Sequence, residues 1–328
     1  MNDGLRPVRL PANQPPRFYR GGAAIAALRG DEPKEFGPED WVASCTTLHG
    51  EQSDGLTTLP DGTLLRDAVT AHPANWLGEE HVRAFGPEPA LLVKLLDAGQ
   101  RLPVHCHPSN EFAARHFGSR YGKTEAWIVV GAAEGAGVHI GFREEPSPET
   151  VAVWVARQDT AAMLAALNPV TVRPGDAVFV PAGVPHAIDA GIFIVELQQP
   201  TDLSVTLEWQ GFLDDEAGGH LGVGFETALG CVDRRSWADR LDELVHHSAQ
   251  GELFGRPEFF RAERLTAGAR LDASFGVLVV LSGTGTLRTE KAGDVALTKG
   301  ATFVLPHAAG ESTVDGDVVV IRCLPPVS

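Results

Sequence analysis

From Ala90 onward, short apolar runs alternate with Gly, Pro, Asp and Asn. ALLVKLLDA, RLPVHCH, EAWIVVG, GVHIGF, VTVRPGDAVFVPAG and IFIVELQQ read as strands bounded by turns, the spacing of an all-β sandwich or barrel. After a break near 223–249 the style returns in RAERL, FGVLVVLSGTGTL, DVALTKGATFVLP and DVVVIRCL. Upstream, WVASCTTL predicts one more strand behind a Pro- and Arg-rich stretch, residues 1–35, that carries no period and reads as an irregular lead-in. Three segments read as short helices: DGTLLRDAVTAHP, with Thr63 as cap and Pro73 as stop; QDTAAMLAALNP, from Asp159 or Thr160 to Asn168-Pro169; and SWADRLDELVHH. In the last, Ser236 is an N-cap and Trp237, Leu241, Leu244 and Val245 share a face.

GDAVFVPAGVPH (175–186) and GATFVLPHAAGE (300–311) share a glycine, five residues and a proline. Gly175 then answers Gly300 and Pro181 answers Pro306, which predicts two related β-barrels. The division that follows is 1–215 for the first barrel with its lead-in, 216–254 for a helical connector and 255–328 for the second barrel. A chain of 328 residues is long enough for two cores, and 36 glycines and 23 prolines supply the turns.

Charge narrows the partners. With 43 acidic against 27 basic residues, a net charge of −16 and no basic run, nucleic acid and anionic membrane surfaces are excluded as partners. An anionic substrate would need a local basic pocket. No apolar run has the length of a membrane span and the N-terminus has no apolar signal core, so a cytoplasmic protein, monomer or homodimer, is expected. Cys45, Cys106, Cys231 and Cys323 form no CxxC pair, which speaks for reduced core thiols rather than a zinc ribbon.

Candidate chemistry starts at GQRLPVHCHPSNEF. Residues i and i+2 of a strand share a face, so His105 and His107 can converge on one metal ion. Gly99, five residues, His105-x-His107, then Gly175, five residues, Pro181-x-Gly183, two residues, His186 is the two-part pattern of cupins, and the chain resembles that superfamily of double-stranded β-helix barrels. The expected fold is therefore mainly β, two cupin barrels with a few short helices. An acidic fourth ligand has two candidates: Glu111, at the usual spacing but in a helix- or loop-like stretch, and Glu125, which opens the strand EAWIVVG and is the expected one. Cys106, between the histidines, should point into packing.

GKTEAW, LLVKLLDA, HP after the histidines, VPAGVPHAI and VELQQPTD together resemble the type I phosphomannose isomerases, from about Trp41 to the end. That resemblance implies an enzyme interconverting mannose 6-phosphate and fructose 6-phosphate, with one divalent metal. Its implied ligands are His105, His107, Glu125 and His186. Zinc is the expected ion; Mn, Fe and Ni suit three imidazoles and a carboxylate as well. Lys94 matches the family's pocket lysine, and Lys123 and Glu196 match positions around the sugar. Aldose–ketose conversion moves a proton between C2 and C1 through an enediol and needs a base. Lys123 is one candidate; Glu196 is the other, or the proton shuttle for ring opening.

The chain departs from the family pattern at four places, one of them Ser109, which stands for an aspartate. His105 stands for a glutamine ligand, Pro103 for a serine linked to phosphate binding, and LSVTLEW carries no arginine where the family has one for substrate. Arg115, Arg120 or Arg143 would have to replace that charge. An isomerase of an unphosphorylated sugar such as mannose, an iron cupin dioxygenase and a non-catalytic sugar-binding cupin remain as alternative readings. In the second barrel Glu311 stands where His186 stands in the first and RLDASFG has no His-x-His, so no metal is expected there.

Overall fold

A computed structural model of the chain describes residues 2–247 and 256–327. Its strands and helices run, in order, β1 (Val8–Leu10), α1 (Ala23–Arg29), β2 (Glu39–Val42), α2 (Leu65–Ala71), α3 (Pro73–Leu77), α4 (Glu79–Phe85), β3 (Leu92–Asp97), β4 (His105–Cys106), α5 (Asn110–Phe117), β5 (Glu125–Ala132) and β6 (Gly137–Phe142). There follow α6 (Pro148–Arg157), α7 (Thr160–Ala166), β7 (Leu167–Thr171), β8 (Ala177–Val180), β9 (His186–Ile188), β10 (Ile192–Gln198), β11 (Val205–Thr206), α8 (Glu216–Gly219), α9 (Phe225–Ala228) and β12 (Val245–His246). The chain closes with β13 (Arg261–Leu265), β14 (Arg270–Leu271), β15 (Gly276–Thr289), β16 (Gly293–Thr298), β17 (Thr302–Leu305) and β18 (Ser312–Leu324).

The fold is mainly β and cupin-like. A six-stranded antiparallel sheet, β12-β8-β5-β10-β3-β2, and a five-stranded one, β11-β4-β9-β6-β7, enclose the first core. A seven-stranded sheet built on β1-β17-β15-β18-β13 makes the second. Strand parity sets what each face meets. In β3, Val93 and Leu95 join the apolar layer shared with Val277, Val304 and Ile321 of the second sheet, while Leu96 packs inside the first barrel with Trp127, Val138 and Ile194. The six-stranded sheet is therefore covered on both sides, which is why its strands are apolar almost throughout. Any polar residue on its inner face is buried at a cost unless it is paired.

The glycine-to-proline repeat has a structural basis. Gly175 (φ +97°) and Gly300 (φ +81°) both turn in the left-handed region just ahead of four-residue buried strands, β8 and β17, that end before Pro181 and Pro306. A Cβ on Gly300 would stand 2.0 Å from the Leu28 carbonyl oxygen, so the close approach of α1 also requires glycine.

Several local readings change. The lead-in is not irregular throughout: α1 lies in it, and β1 pairs with β17, so the N-terminus adds a strand to the second sheet. WVASCTTL forms strand only to Val42, where Ala43 takes φ +53° and turns the chain away. The helix after Asp61 is capped by Leu64 without a side-chain bond, not by Thr63, and Pro73 starts α3 instead of merely ending α2. Asp159 caps α7 as expected, but Asn168-Pro169 lies in β7 on the sheet edge, where proline's missing N–H is tolerated. SWADRLDELVHH is no α-helix: Ala238–Glu243 is a 3-10 segment broken at Arg240, Ser236 bonds the Arg143 carbonyl, and Val245–His246 pairs with β8. Trp237 and Leu244 are buried there all the same, so burial came without the helix. Residues 248–249 of that zone and the expected boundary at 254–255 lie outside the described residues.

Candidate metal centre

Three histidines meet inside the first barrel. His105 and His186 face each other across the β4–β9 ladder, and His107 follows one residue past the end of β4. Ring centroids are 4.1 Å apart for His105 and His186 and 5.0 Å for each pair with His107. One nitrogen from each lies within 4.8 Å of the others.

Backbone carbonyls fix the tautomers. Nδ1 of His105 donates to Pro103 (2.8 Å), that of His186 to Val184 (2.9 Å) and that of His107 to Leu203 (3.0 Å). Because a carbonyl only accepts, all three rings keep the Nε2 lone pair for the centre, as metal-binding imidazoles require. Burial holds the His105 imidazolium well below its usual range, helped by His186, His107 and Lys123. Burial and Lys123 likewise bring His107 down to about 4. Neutral imidazole is the ligating form.

Glu125 opens β5 on the inner face. Its Oε2 lies 3.2 Å from His107 Nε2, and its Oε1 3.4 Å from His186 Nε2. Burial would raise this carboxyl, but Lys123, His107 and His186 outweigh it and hold it ionised. His186 Nε2 and Glu125 Oε2 are buried without a hydrogen bond. A buried imidazole nitrogen with no donor, beside two further imidazoles and a carboxylate oxygen that an ammonium approaches only as an ion pair, is a donor set a divalent cation would satisfy, so the residues fit a metal. Glu111, the rejected candidate, lies exposed on α5 against Arg115.

Register places the remaining polar groups. Glu196 on β10 stands opposite Lys94 on β3 and Trp127 on β5, so all three point inward with Glu125. Lys123 Nζ lies 2.9 Å from Glu125, 3.1 Å from His107 Nε2 and 3.8 Å from Glu196 Oε1. Burial, with Glu125 nearby, pushes the Glu196 carboxyl up to about 8 against the pull of Lys94 and Lys123. Its Oε2 has no hydrogen bond. Lys123, Glu196 and Lys94 are thus not solvated lysines and glutamates but parts of one buried cluster. Cys106 points away, its Sγ 3.6 Å from that of Cys231 in the layer under α6.

Three groups in this pocket lie outside every sequence motif. Arg17 and Tyr19, from the lead-in, line it together with Glu39 of β2. Glu39 binds Arg17 Nε (3.0 Å) and Lys94 Nζ (3.3 Å) and accepts from Tyr19 and from Trp41 Nε1 (2.6 Å). Arg115, Arg120 and Arg143, by contrast, do not reach the pocket. Arg115 pairs with Glu111, Arg120 bonds the Phe85 carbonyl, and Arg143 lines a separate surface cleft.

No protein-family model matches the chain. A mannose-6-phosphate isomerase of Streptococcus mutans is 28% identical over 326 residues, 96% of this chain and 97% of its own. One of Bacillus subtilis is 27% identical over 310 residues, 90% of this chain and 92% of its own. Among solved structures, the mannose 6-phosphate isomerase of Bacillus subtilis superposes with TM-score 0.75 at 23% identity, covering 97% of this chain and 99% of that one. A zinc-bound mannose 6-phosphate isomerase gives 0.75 at 17%, covering 98% and 100%. Similarity at 27–28% identity over nearly the whole length, with a shared fold, points one way: the chain is similar from end to end to mannose-6-phosphate isomerases.

Proposed function

We propose that the chain is a metal-dependent aldose–ketose isomerase of the phosphomannose isomerase type, acting at C1 and C2 of a mannose–fructose pair. The observation that carries this reading is the meeting of His105, His107, His186, Glu125, Lys123 and Glu196 in one buried cluster. His105, His107, His186 and Glu125 would hold one divalent ion, zinc by expectation with Mn, Fe or Ni also suited, and that ion would polarise a sugar carbonyl or hydroxyl oxygen as a Lewis acid.

Proton transfer between C2 and C1 falls to Lys123 and Glu196, 3.8 Å apart. A carboxyl pushed up to about 8 changes its protonation close to neutrality, as a proton carrier must. Glu196 can therefore deliver a proton for ring opening or take one from C2. Lys123, an Nζ with three donors beside Glu125 and His107, would stabilise the charge that develops on an enediolate oxygen or act as the base. Trp127, whose Nε1 donates to Glu125 Oε1 at 3.1 Å, fixes that carboxylate and walls off water.

The test follows fructose or fructose 6-phosphate formed from mannose or its 6-phosphate, before and after chelation. Isomerisation should vanish on chelation and return with added divalent ion. A metal-loaded chain that isomerises neither sugar, or that consumes oxygen with ferrous iron instead, contradicts the reading.

A further inference from the structure

The part of the pocket next to Glu39 is polar but electrically matched. Its wall includes Arg17, Tyr19, Glu39, Lys94 and Pro103. Arg17 Nε meets Glu39 at 3.0 Å and its Nη1 meets Asp202 Oδ2 at 3.1 Å; Lys94 Nζ meets Glu39 at 3.3 Å. Two cations thus face two carboxylates, and all four side chains are 3–12% exposed. Lys94 also lies 4.9 Å from the centre of the Trp41 ring. Pro103 offers neither an N–H nor a hydroxyl. Outward, the next basic groups are occupied as well, Arg20 by Glu35 at 3.2 Å and Arg101 by Glu208.

A phosphate here would find no uncompensated cation among the described residues. It would also bring its charge against Glu39 in a pocket largely shut off from water, where like charges repel strongly, while Asp202, which lines the neighbouring cleft, acts on this pocket through its ion pair with Arg17. A sugar hydroxyl meets neither difficulty, since it can donate to a carboxylate oxygen and accept from guanidinium or ammonium.

Resting on the isomerase reading above, we propose that the site takes a neutral hexose in preference to its 6-phosphate, and that Asp202, by neutralising Arg17, sets this choice. Asp202 touches neither the histidines nor Glu125, Lys123 or Glu196, so its role is positioning and charge balance.

The experiment compares the metal-loaded wild-type chain and Asp202→Asn, each with mannose and mannose 6-phosphate, by isomerase assay and by titration calorimetry. The wild type should favour mannose in kcat/KM and in affinity by at least about tenfold. In Asp202→Asn, with Arg17 less neutralised, the ratio should move about tenfold toward the phosphate. A wild type that binds and converts mannose 6-phosphate better overturns the proposal while leaving the isomerase reading intact. Mannose bound tightly without turnover sinks the isomerase reading but supports the neutral preference. An unchanged ratio in folded Asp202→Asn overturns the role of Asp202. The wild-type comparison decides the substrate class even where the variant fails to fold.

Discussion

Replacing Glu39 by Gln should be among the most destabilising single changes in the first barrel. Glu39 is 2% exposed and bridges Arg17 and Lys94 while accepting from Tyr19 and Trp41. Arg17 keeps Asp202 in the variant, but Lys94 loses the one carboxylate with which it makes an ion pair among the described residues. A buried charge left without its partner costs about 3–5 kcal/mol. In a double-mutant cycle, Lys94→Met removes the stranded cation, so Glu39→Gln with Lys94→Met should cost less than the two singles together by about 1–2 kcal/mol. Burial alone would raise the Glu39 carboxyl, yet Arg17, Lys94, Tyr19 and Trp41 hold it well below its ordinary 4.5. A carboxyl depressed on folding contributes stability above its unfolded pKa and loses it as pH falls toward the folded one. The cost of Glu39→Gln should therefore be full at pH 7 and shrink steadily below about pH 4.5. Urea unfolding followed by tryptophan fluorescence reads both effects. A cost within about 1 kcal/mol at pH 7, or strict additivity in the cycle, would refute the bridging role.

Lys123→Met should lower kcat by about 10²- to 10⁴-fold while the protein still binds its divalent ion, a split that metal analysis beside the isomerase assay reveals; unchanged turnover would remove Lys123 from the mechanism. Metal-free protein should become acid-sensitive through its histidines. His107 falls on folding from 6.5 to about 4, so its unfolded form binds a proton first and stability drops by about 3 kcal/mol as pH goes from about 6.5 to 4. Thermal melts of chelated protein and of His107→Gln across that range check the sign, and equal slopes for the two would falsify it.

The centre was legible in the sequence because its residues sit on regular strands or at fixed spacing from them. Parity alone aims Glu125, Glu196 and Lys94 inward, and the glycine, proline and histidine spacing marks His105, His107 and His186. Arg17 was not legible. It lies in a segment without period, and its partner Asp202 is 185 residues away, so only the folded chain joins them. Glu39 escaped for a different reason: two acidic residues ahead of Trp41 look like the turn before a strand, whereas pairing with β3 draws them into it. The broken 3-10 segment at 238–243 shows the same limit from the other side. An apolar face at helical spacing predicted burial for Trp237, Leu244 and Val245, with Leu241 only partly buried, but the strand pairing of Val245–His246 with β8 took the chain away from the helix.

The central claim is that His105, His107, His186 and Glu125 hold the ion on which isomerisation depends. The most direct measurement is metal analysis and isomerase activity on one preparation of wild type and of a variant with His105, His107 and His186 all changed to Ala. The wild-type chain should hold one divalent ion, with activity that tracks its removal and return, and a folded variant should show neither ion nor activity. A variant that keeps the ion, or a stripped wild type that isomerises at full rate, would contradict it.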